Sequence, residues 1–386
     1  MNQLIYWRIK MNPGINKVRN EFEPAVSNWT YLNAAACGLT PRRAKQASDT
    51  WWNDKFTDGS VHFHDWEIHA DQTRENFGKV INAKGEEIAY VMNTSQGINI
   101  ATNGIDFKKG DNVIINELEF PSNFYPWLAL KQEGVEIRCI KTIQDRVPVE
   151  NIESLIDENT KVISISSVQF RNGFRADLNQ IGNLCQEHGI YFVVDAIQSL
   201  GVLEMDVKRN NIDMLATSCY KWLLGPDGIG FFYCNEEIQE EIASTNIGWM
   251  STSNPWNFST ELDFHPSAKK FEAGTPPWTL IYSVNAILDL FHEITIKKIH
   301  DHVFDLLDYL IEELEKLNVE IKSPLEEKER SGILTFDVVH REKLAELYQK
   351  NHVRISVRDG IRVSPHIYNN REDMDTLIQI LKEFIT

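Results

Sequence analysis

The sequence predicts an α/β fold in which a mostly parallel sheet carries helices on both faces. The middle of the chain alternates short apolar runs rich in β-branched residues with amphipathic helical stretches. These runs are apolar throughout, which is typical of strands buried on both faces. The composition, 42% hydrophobic and 25% charged over 386 residues, is that of an ordinary globular protein with room for a large domain and a smaller companion.

Seven apolar runs define the predicted sheet. They are residues 87–92, 112–116, 135–140, 161–168, 191–197, 214–219 and 228–234. Helical patterns lie between several of them, such as residues 178–189, which Gly189 closes. Parallel sheets of this kind bind ligands beyond the carboxyl ends of their strands, so functional side chains are expected there.

After about residue 285 the pattern changes to that of a smaller α+β unit. Its predicted elements are helices over 303–317, 341–350 and 371–384 and a strand over 331–339. Asn370 is the predicted N-cap of the last helix, and Asp373 completes a capping box. The first 45 residues are expected to join this unit. The large domain is therefore predicted to span 46–285, and the small domain to combine 1–45 with 286–386.

Charge and motif content exclude several classes of function. The formal net charge of −17 repels nucleic-acid backbones, and no apolar run has the length of a membrane span. Residues 1–14 lack the features of a signal peptide, and the five cysteines show no metal-ligand spacing. His62 and His64 suggest a metal pair, but the pattern does not supply a full set of ligands, and a surface or pocket-rim role is expected for them. We predict a reduced, cytoplasmic protein without disulfides or a metal site.

A carboxylate and a lysine follow neighbouring strands of the predicted sheet. Asp195 ends the run YFVVD, and Lys221 follows the run MLATSC. Both side chains are expected at the same edge. A carboxylate there can keep a pyridinium nitrogen protonated, and a lysine can form an imine with an aldehyde. These are the two groups that a pyridoxal 5′-phosphate (PLP) site requires.

The phosphate of such a cofactor also needs donors. The stretch NTSQGIN (93–99) follows a strand and opens a helix, where the first amides attract an anion. Thr94 and Ser95 add hydroxyls there, and Ser218 and Tyr220 add two more beside the lysine. Plainer interpretations exist, since Ser95 could simply cap the helix and a lone lysine is usually solvated.

Segments spread in order over most of the chain resemble the class V aminotransferase family of fold-type I PLP enzymes. That family includes cysteine desulfurases, selenocysteine lyases, kynureninases and isopenicillin-epimerase-like proteins. The strongest match is VVDAIQSLG together with TSCYKWLLGPDGIG. Further matching segments are residues 31–41, 93–99, 117–127, 271–276 and 354–369. The resemblance implies a fold-type I homodimer that binds PLP and an amino-acid substrate.

The resemblance also implies a role for each matching residue. The catalytic group consists of Lys221, which carries the cofactor and moves a proton, and Asp195, which pairs with the pyridine nitrogen. The cofactor-binding group consists of Thr94, Ser95, Phe120, Asp195, Gln198, Ser218, Tyr220, Lys221 and Thr275. The substrate-binding group consists of Arg362, Gln169 and Ala36.

Within these groups the implied contacts differ. Phe120 stacks on the cofactor ring, although a phenylalanine is more often a core residue. Gln198 donates to the ring hydroxyl, and Thr275 reaches the phosphate of the neighbouring subunit. Arg362 binds the substrate carboxylate through its planar guanidinium. Arg175 and Arg358 are further candidates for a second substrate carboxylate.

This chain departs from the desulfurases at several positions. Those enzymes have histidines where Phe120 and Tyr220 stand and an asparagine where Phe170 stands. They also carry a nucleophilic cysteine in a loop before the carboxylate-binding arginine, whereas residues 357–360 here lead directly to Arg362 and no cysteine follows position 234. The sequence therefore predicts that this is not a desulfurase of the usual kind. Cys37 is the one thiol expected near the site.

The reaction type is less constrained than the cofactor. The leading expectation is an aminotransferase that acts on a small α-amino acid. The alternative is a PLP-dependent lyase or epimerase, because all such enzymes labilise a bond at the α-carbon. A non-catalytic PLP-binding module is the third hypothesis, against which the presence of Lys221, Asp195 and Arg362 argues.

Overall fold

The computed structural model describes residues 17–385. Residues 1–16, which include the predicted start of the small domain and the segment considered above as a signal peptide, lie outside that range. The strands are β1 Thr30–Tyr31, β2 Ile88–Val91, β3 Asn112–Asn116, β4 Glu136–Ile140, β5 Thr160–Ser166, β6 Tyr191–Asp195, β7 Met214–Ser218, β8 Gly230–Cys234, β9 Glu320–Ile321, β10 Leu334–Asp337, β11 Val353–Arg354, β12 Ser356–Val357 and β13 Ile361–Val363.

The α-helices alternate with the central strands and then dominate the C-terminal part. They are α1 Ala25–Asn28, α2 Arg42–Asp58, α3 Phe63–Ile81, α4 Thr94–Gly104, α5 Tyr125–Ala129, α6 Val149–Glu153, α7 Leu178–His188, α8 Trp278–Ile294, α9 Ile296–Lys316, α10 Arg341–Lys350 and α11 Arg371–Ile385. No helix within residues 17–385 combines the length and hydropathy needed to cross a membrane.

The predicted seven-stranded, mostly parallel sheet is confirmed. Its order is β2-β8-β7-β6-β5-β3-β4; β8 runs antiparallel to both of its neighbours, and the other six strands share one direction. Successive side chains of one strand enter opposite apolar layers. Ile114 lies in one core, whereas Val113 and Ile115 lie in the other. This alternation explains why the strands read as continuous apolar runs.

Local signals in the sequence set the helix ends. Asp177 caps α7 by accepting from Gln180 N, and Gly189 ends the same helix in the left-handed conformation. The predicted capping box of α11 is confirmed, since Asn370 Oδ1 accepts from Asp373 N at 3.1 Å and Asp373 Oδ2 accepts from Asn370 N at 3.0 Å.

The N-terminal segment pairs with the C-terminal unit. β1 lies parallel to β11, Asn33 bridges to Ser364, and a four-stranded sheet has the order β12-β13-β10-β9. These pairings place residues 30–33 beside the C-terminal strands. The domain boundaries at 45/46 and 285/286 stay predictions, and both fall inside helices, the first in α2 and the second in α8.

Candidate active site

Polar side chains gather where three neighbouring parallel strands end. Ser166 ends β5, Asp195 ends β6 and Ser218 ends β7. Ser166 and Asp195 are register partners, and Asp195 pairs in turn with Ala216. Lys221 follows β7 by a short turn. The structure therefore brings the predicted carboxylate and lysine to one edge of the sheet, as the strand order requires.

Lys221 is a buried lysine that lies near two aromatic rings. It is 7% exposed, and its Nζ lies 5.6 Å from the centroid of the Phe120 ring and 5.8 Å from that of Tyr220. No salt bridge joins it to a carboxylate of residues 17–385. Burial lowers the pKa of Lys221, Arg362 and Arg358 lower it further, and Asp195 opposes them. Such an amine is readily available in its neutral, nucleophilic form.

Asp195 is the buried acid of the site. It is 2% exposed, and its Oδ1 accepts from Ile197 N at 3.0 Å. No other hydrogen bond from the described part of the chain reaches this carboxylate. Burial raises its pKa, the charge of Glu119 adds to the rise, and Lys221 opposes it. A carboxylate in this state is suited to a buried N–H donor such as a protonated pyridine ring.

Close backbone contacts fix the turn that carries Lys221. Gly38 N donates to Tyr220 O at 2.8 Å, and a Cβ on Gly38 would lie 2.2 Å from Lys221 O. Gly201 has φ +108°, and a Cβ there would lie 2.1 Å from Trp222 O. Both positions therefore require glycine, because a side chain would displace the backbone on either side of the lysine.

Hydrogen bonds also hold Trp222, the residue after the lysine. Its Nε1 donates to Gln198 Oε1 at 2.8 Å, and Gln198 Nε2 donates to Ala35 O at 3.0 Å. His366 Nδ1 accepts from Ile367 N, so the proton of the ring lies on Nε2, which donates to Trp222 O at 3.0 Å. Burial lowers the pKa of His366 to about 3, which keeps the ring neutral. Gln198 retains one N–H, so its role toward a ring hydroxyl stays a prediction.

Three of the predicted phosphate-binding residues, Thr94, Ser95 and Ser218, take part in two hydrogen-bonded pairs at the start of α4. Thr94 Oγ1 lies 3.0 Å from Ser218 Oγ, which also accepts from Thr94 N at 2.7 Å. Ser95 Oγ donates to Ser122 Oγ at 2.8 Å. The N-cap is Asn93, whose side chain accepts from Gln96 N, so the interpretation of Ser95 as a cap was wrong. Hydroxyl protons can rotate toward an anion that the helix N-terminus attracts.

Glu119 is a site residue that the sequence did not reveal. It is 6% exposed and accepts from Asn116 Nδ2 at 2.5 Å, Asn123 Nδ2 at 2.9 Å and Gln169 Nε2 at 2.9 Å. Ser166 donates to it through both its amide and its hydroxyl. These neutral donors fix the segment that presents Phe120, and they place a second acid close enough to act on Asp195.

Arg362 lies on β13 as a buried guanidinium without an acid. It is 1% exposed, its Nη1 donates to Phe170 O at 2.7 Å, and Nη2 lies 3.5 Å from Ser356 Oγ. Its Nε is buried and has no hydrogen-bond partner. Burial lowers the pKa of Arg362 to about 10, and the nearby Arg358 contributes. A buried arginine with unused donors is suited to a carboxylate ligand.

The remaining substrate-side residues lie between these groups. Gln169 is fully buried, and its Oε1 has no hydrogen-bond partner. Phe170 packs edge-on against Phe120, with ring centroids 5.2 Å apart. Ala36 donates its backbone N–H to Asn33 O at 3.0 Å, next to the Ala35 carbonyl that Gln198 holds. A substrate role for Gln169 and Ala36 stays a prediction.

Cys37 and Thr275 are both exposed residues. Cys37 is close enough to Lys221 to influence its pKa, and partial burial raises the pKa of the Cys37 thiol while Lys221 opposes the rise. A raised pKa leaves little of the nucleophilic thiolate. Thr275 is exposed, and its contact with a second subunit stays a prediction.

Arg175 lies elsewhere. It lines a cavity of about 1200 Å³ between large-domain helices and the C-terminal unit, together with Arg209, Glu204 and Lys328. Lys221, Asp195 and Arg362 do not line this cavity. The structure therefore does not bring Arg175 together with the other candidate residues.

One surface cluster in the described range has the spacing of metal ligands. Asp54, Asp58 and His62 could each offer one atom, but His62 Nδ1 already contacts Asp54 Oδ1 at 2.5 Å. His64 is not part of this group and lies 3.4 Å from Glu67. Exposed acidic side chains of this kind are common without a metal.

The residues at the sheet edge fit PLP. A buried lysine, a buried acid with free acceptor positions, an aromatic side chain beside the lysine and a hydroxyl cluster at a helix N-terminus occupy one continuous region. The buried arginine borders the same region, since its charge acts on Lys221. Each group matches one part of the cofactor or of an amino-acid substrate.

Comparisons with known proteins agree with this chemistry. The family profile described as aminotransferase class-V matches residues 30–380. The chain is 28% identical to a probable cysteine desulfurase of Methanothermobacter thermautotrophicus over 93% of this chain and 96% of the relative. It is 30% identical to a probable cysteine desulfurase of Ureaplasma parvum over 92% and 93% of the two chains.

A solved structure shares the fold. It is the apo form of a cysteine desulfurase from Thermococcus onnurineus NA1, with a TM-score of 0.88 and 24% identity, covering 96% of this chain and 98% of that one. The match confirms the predicted fold class. The chain belongs to the class V aminotransferase family of PLP-dependent enzymes.

Proposed function

We propose that this protein is a PLP-dependent lyase that removes the β-substituent of a small α-amino acid by elimination. The observation that carries the proposal is the buried Lys221–Asp195 pair beside Arg362, a buried guanidinium without an acidic partner. An amino group and an α-carboxylate are the two features that these groups would recognise. The relatives named as probable cysteine desulfurases favour C–S bond cleavage, and hence the lyase alternative, over the transamination that was our leading expectation.

Each side chain has a definite task in such a reaction. PLP, when bound, supplies an electron sink for the bonds at the α-carbon. Lys221 Nζ would take the α-proton once the substrate amine has replaced it, and its lowered pKa favours this role near neutral pH. Asp195 would hold the N–H of the pyridine ring, and Arg362 would orient the carboxylate through paired donors.

The bonding electrons balance without an added oxidant or reductant. The α-proton goes to Lys221, and the β-substituent departs with the electron pair of its bond to the β-carbon. Water then releases the carbon skeleton as a keto acid together with ammonia. Phe120 and Phe170 would exclude water from one side during these steps.

The segment before Arg362 argues against a protein-bound persulfide. β12 and β13 form a hairpin in which Val357 pairs with Ile361, so residues 358–360 are its whole turn. That turn has no sulfur. Cys37 lies close to Lys221, but its raised pKa leaves little thiolate to attack a sulfur atom, so we expect a sulfur leaving group to be released to solvent.

A panel of amino acids tests the proposal. The holoenzyme is incubated with L-cysteine, β-chloro-L-alanine and L-alanine, and the products are followed as pyruvate, ammonia and the pyridoxamine form of the cofactor. The proposal predicts pyruvate and ammonia in equal amounts from the first two. Accumulation of the pyridoxamine form with every active substrate would instead establish transamination. No response to any amino acid would support the non-catalytic module.

A homodimer is part of the same proposal. Trp52, Phe56, Trp256 and Phe258 are exposed, and Phe56 reaches 92% and Phe258 78%. Phe63 packs on Trp256 with ring centroids 5.5 Å apart, so the segments that carry these side chains adjoin. An apolar surface of this kind is typical of a subunit interface. Light scattering at micromolar concentration should give twice the chain mass of 44.6 kDa, and a monomer with full PLP occupancy would oppose the proposal.

A further inference from the structure

The hairpin before Arg362 carries a second arginine in its turn. Ser356 pairs with Arg362 and Val357 with Ile361, and Arg358 N donates to Gly360 O at 2.9 Å. Side chains two residues apart on a strand point to the same face. The bond from Arg358 N to Gly360 O continues the ladder of β12 and β13 by one pair, so Arg358 lies on the same face as Ser356 and as Arg362, the residue opposite Ser356.

The next residue of the turn, Asp359, is held by three basic side chains. Asp359 Oδ2 pairs with Arg171 at 3.2 Å, and Asp359 O accepts from Lys322 Nζ at 2.8 Å and from Arg341 Nη1 at 2.5 Å. Arg358, in contrast to Asp359, is not anchored. Its side chain is exposed and has no hydrogen bond or ion pair with any residue between 17 and 385.

The charge of Arg358 also reaches the reaction centre. It lowers the pKa values of both Lys221 and Arg362, which agrees with the face assigned by the strand alternation. Two guanidinium groups thus act on the substrate side of Lys221, in a protein whose formal net charge is −17. Two like charges repel each other unless an anion lies between them.

One carboxylate does not account for this arrangement. Arg362 is buried and has unused donors, which suits it to the α-carboxylate that every α-amino acid carries. Arg358 is exposed whereas Arg362 is buried, so Arg358 is available to a group that extends outward from the α-carbon. A neutral substrate would leave Arg358 without a partner.

We propose that Arg358 is a specificity-determining residue that selects α-amino acids whose side chain ends in an acid, either a carboxylate or an oxidised-sulfur acid. The assignment rests on the proposed function, because it takes Arg362 as the receptor for the α-carboxylate. The hairpin turn would then bind the distal acid of the substrate.

Succinate and butyrate form a matched pair of probes. Both have four carbons, and succinate has a carboxylate where butyrate has a methyl group. Dissociation constants are measured by calorimetry on the holoenzyme, so no turnover is needed. Wild-type protein should bind succinate about tenfold more tightly than butyrate, the size of one charge-assisted contact. Arg358→Gln should bring the two constants to within about twofold.

Two further measurements separate the possible failures. Arg371→Gln removes the same charge from the start of α11, where the guanidinium lies over the Tyr309 ring, and should keep the wild-type preference. A wild-type preference that Arg358→Gln leaves intact would overturn the role of Arg358 while Arg362 remains the receptor. If neither probe binds and Arg362→Gln changes nothing, the proposed function itself fails.

Rates give an independent check. The ratio of kcat/KM for L-serine O-sulfate to that for β-chloro-L-alanine compares an acidic with a neutral β-substituent. Arg358→Gln should lower this ratio about tenfold. An unchanged ratio would contradict the proposal even if both substrates react.

Discussion

The two sides of Lys221 differ in the charge of the groups that they offer to a ligand. The cofactor side offers neutral hydroxyls at a helix N-terminus, with Thr94 and Ser218 bonded to each other. The substrate side offers full positive charges, from Arg362 in the interior and Arg358 at the rim. The first side suits a ligand that is bound once and kept. The second suits a ligand that must be selected and released.

The two sides also differ in how the sequence encodes them. The cofactor side comes from short motifs that follow β2, β6 and β7, three strands that run in the same direction, so their carboxyl ends lie at one edge of the sheet. The substrate side is assembled from residues near both ends of the chain, since Asn33 accepts from Ser356 Oγ at 2.6 Å. Substitutions on the two sides should therefore have separable effects on cofactor binding and on substrate recognition.

Lys221→Ala should give the largest effect. Without the amine, borohydride reduction should attach no cofactor to the protein, and kcat should fall by about 10²- to 10⁴-fold or more, the range of a lost acid–base group. Peptide mapping after reduction measures the first result. Lys131→Ala, which changes an exposed lysine, should behave as wild type. A reduced adduct that persists in Lys221→Ala would show that another residue holds the cofactor.

Arg362→Gln should separate the two sides most clearly. Loss of a paired contact to a carboxylate costs about 3 kcal/mol, so kcat/KM should fall about 100-fold. The affinity for PLP should stay within about twofold of wild type, because the proposed role of the arginine is to bind the substrate carboxylate and not the cofactor. Steady-state kinetics and a PLP titration measure both. Equal losses in the two measurements would mean that Arg362 supports the structure of the site as a whole.

Ser218→Ala should weaken PLP binding and leave substrate turnover nearly unchanged, the reverse of Arg362→Gln, and the loss should be smaller. The apoprotein should bind PLP about fivefold to tenfold more weakly, as for one hydrogen bond to an anion. At saturating PLP, kcat/KM should be nearly unchanged. Ser122→Ala, which removes only the partner of Ser95, is the matched control and should weaken PLP binding less. A loss of turnover at saturating cofactor would contradict the separation of the two sides.

The pH dependence of cofactor loading connects the two sides. Lys221 must be neutral to attack an aldehyde, and the folded protein lowers its pKa through burial and two arginines. The rate of PLP attachment should therefore rise with pH and level off below the pH at which an ordinary lysine titrates. Arg358→Gln removes one of those cations, so the midpoint should move to higher pH. An unchanged midpoint would mean that Arg358 lies too far from Lys221 to act on it. A downward shift of the midpoint would contradict the direction of the effect.

Much of the fold and of the cofactor side could be predicted from the sequence. Asp195 and Lys221 were found because strands of strong β character precede them and because parallel strands share an edge. The capping box of α11 was found because its two residues are three positions apart. Local patterns of this kind depend on neighbours in the chain, which the sequence displays directly.

The rest depends on contacts between distant segments. Glu119 reads as a surface acid in ELEF, and only its bonds to Ser166 and Gln169 make it a buried one. His366 reads as an ordinary histidine, although it fixes the carbonyl after Lys221. Arg175 and Arg358 were equal candidates by sequence, and the fold places only Arg358 beside Arg362. No pattern within one segment could have distinguished them.

Cys37→Ala should have the smallest effect. The thiol has a raised pKa, and the proposed elimination does not use it. Turnover of L-cysteine and of β-chloro-L-alanine should both stay within about twofold of wild type. A selective loss with L-cysteine would indicate that the thiol takes part in sulfur transfer.

The intact mass of the protein after turnover of L-cysteine without reductant tests the central claim most directly. The account predicts free sulfide with pyruvate and ammonia, and a protein whose mass is unchanged apart from its cofactor. A persulfide on Cys37, lost together with sulfide production in Cys37→Ala, would contradict a lyase that works without a protein thiol.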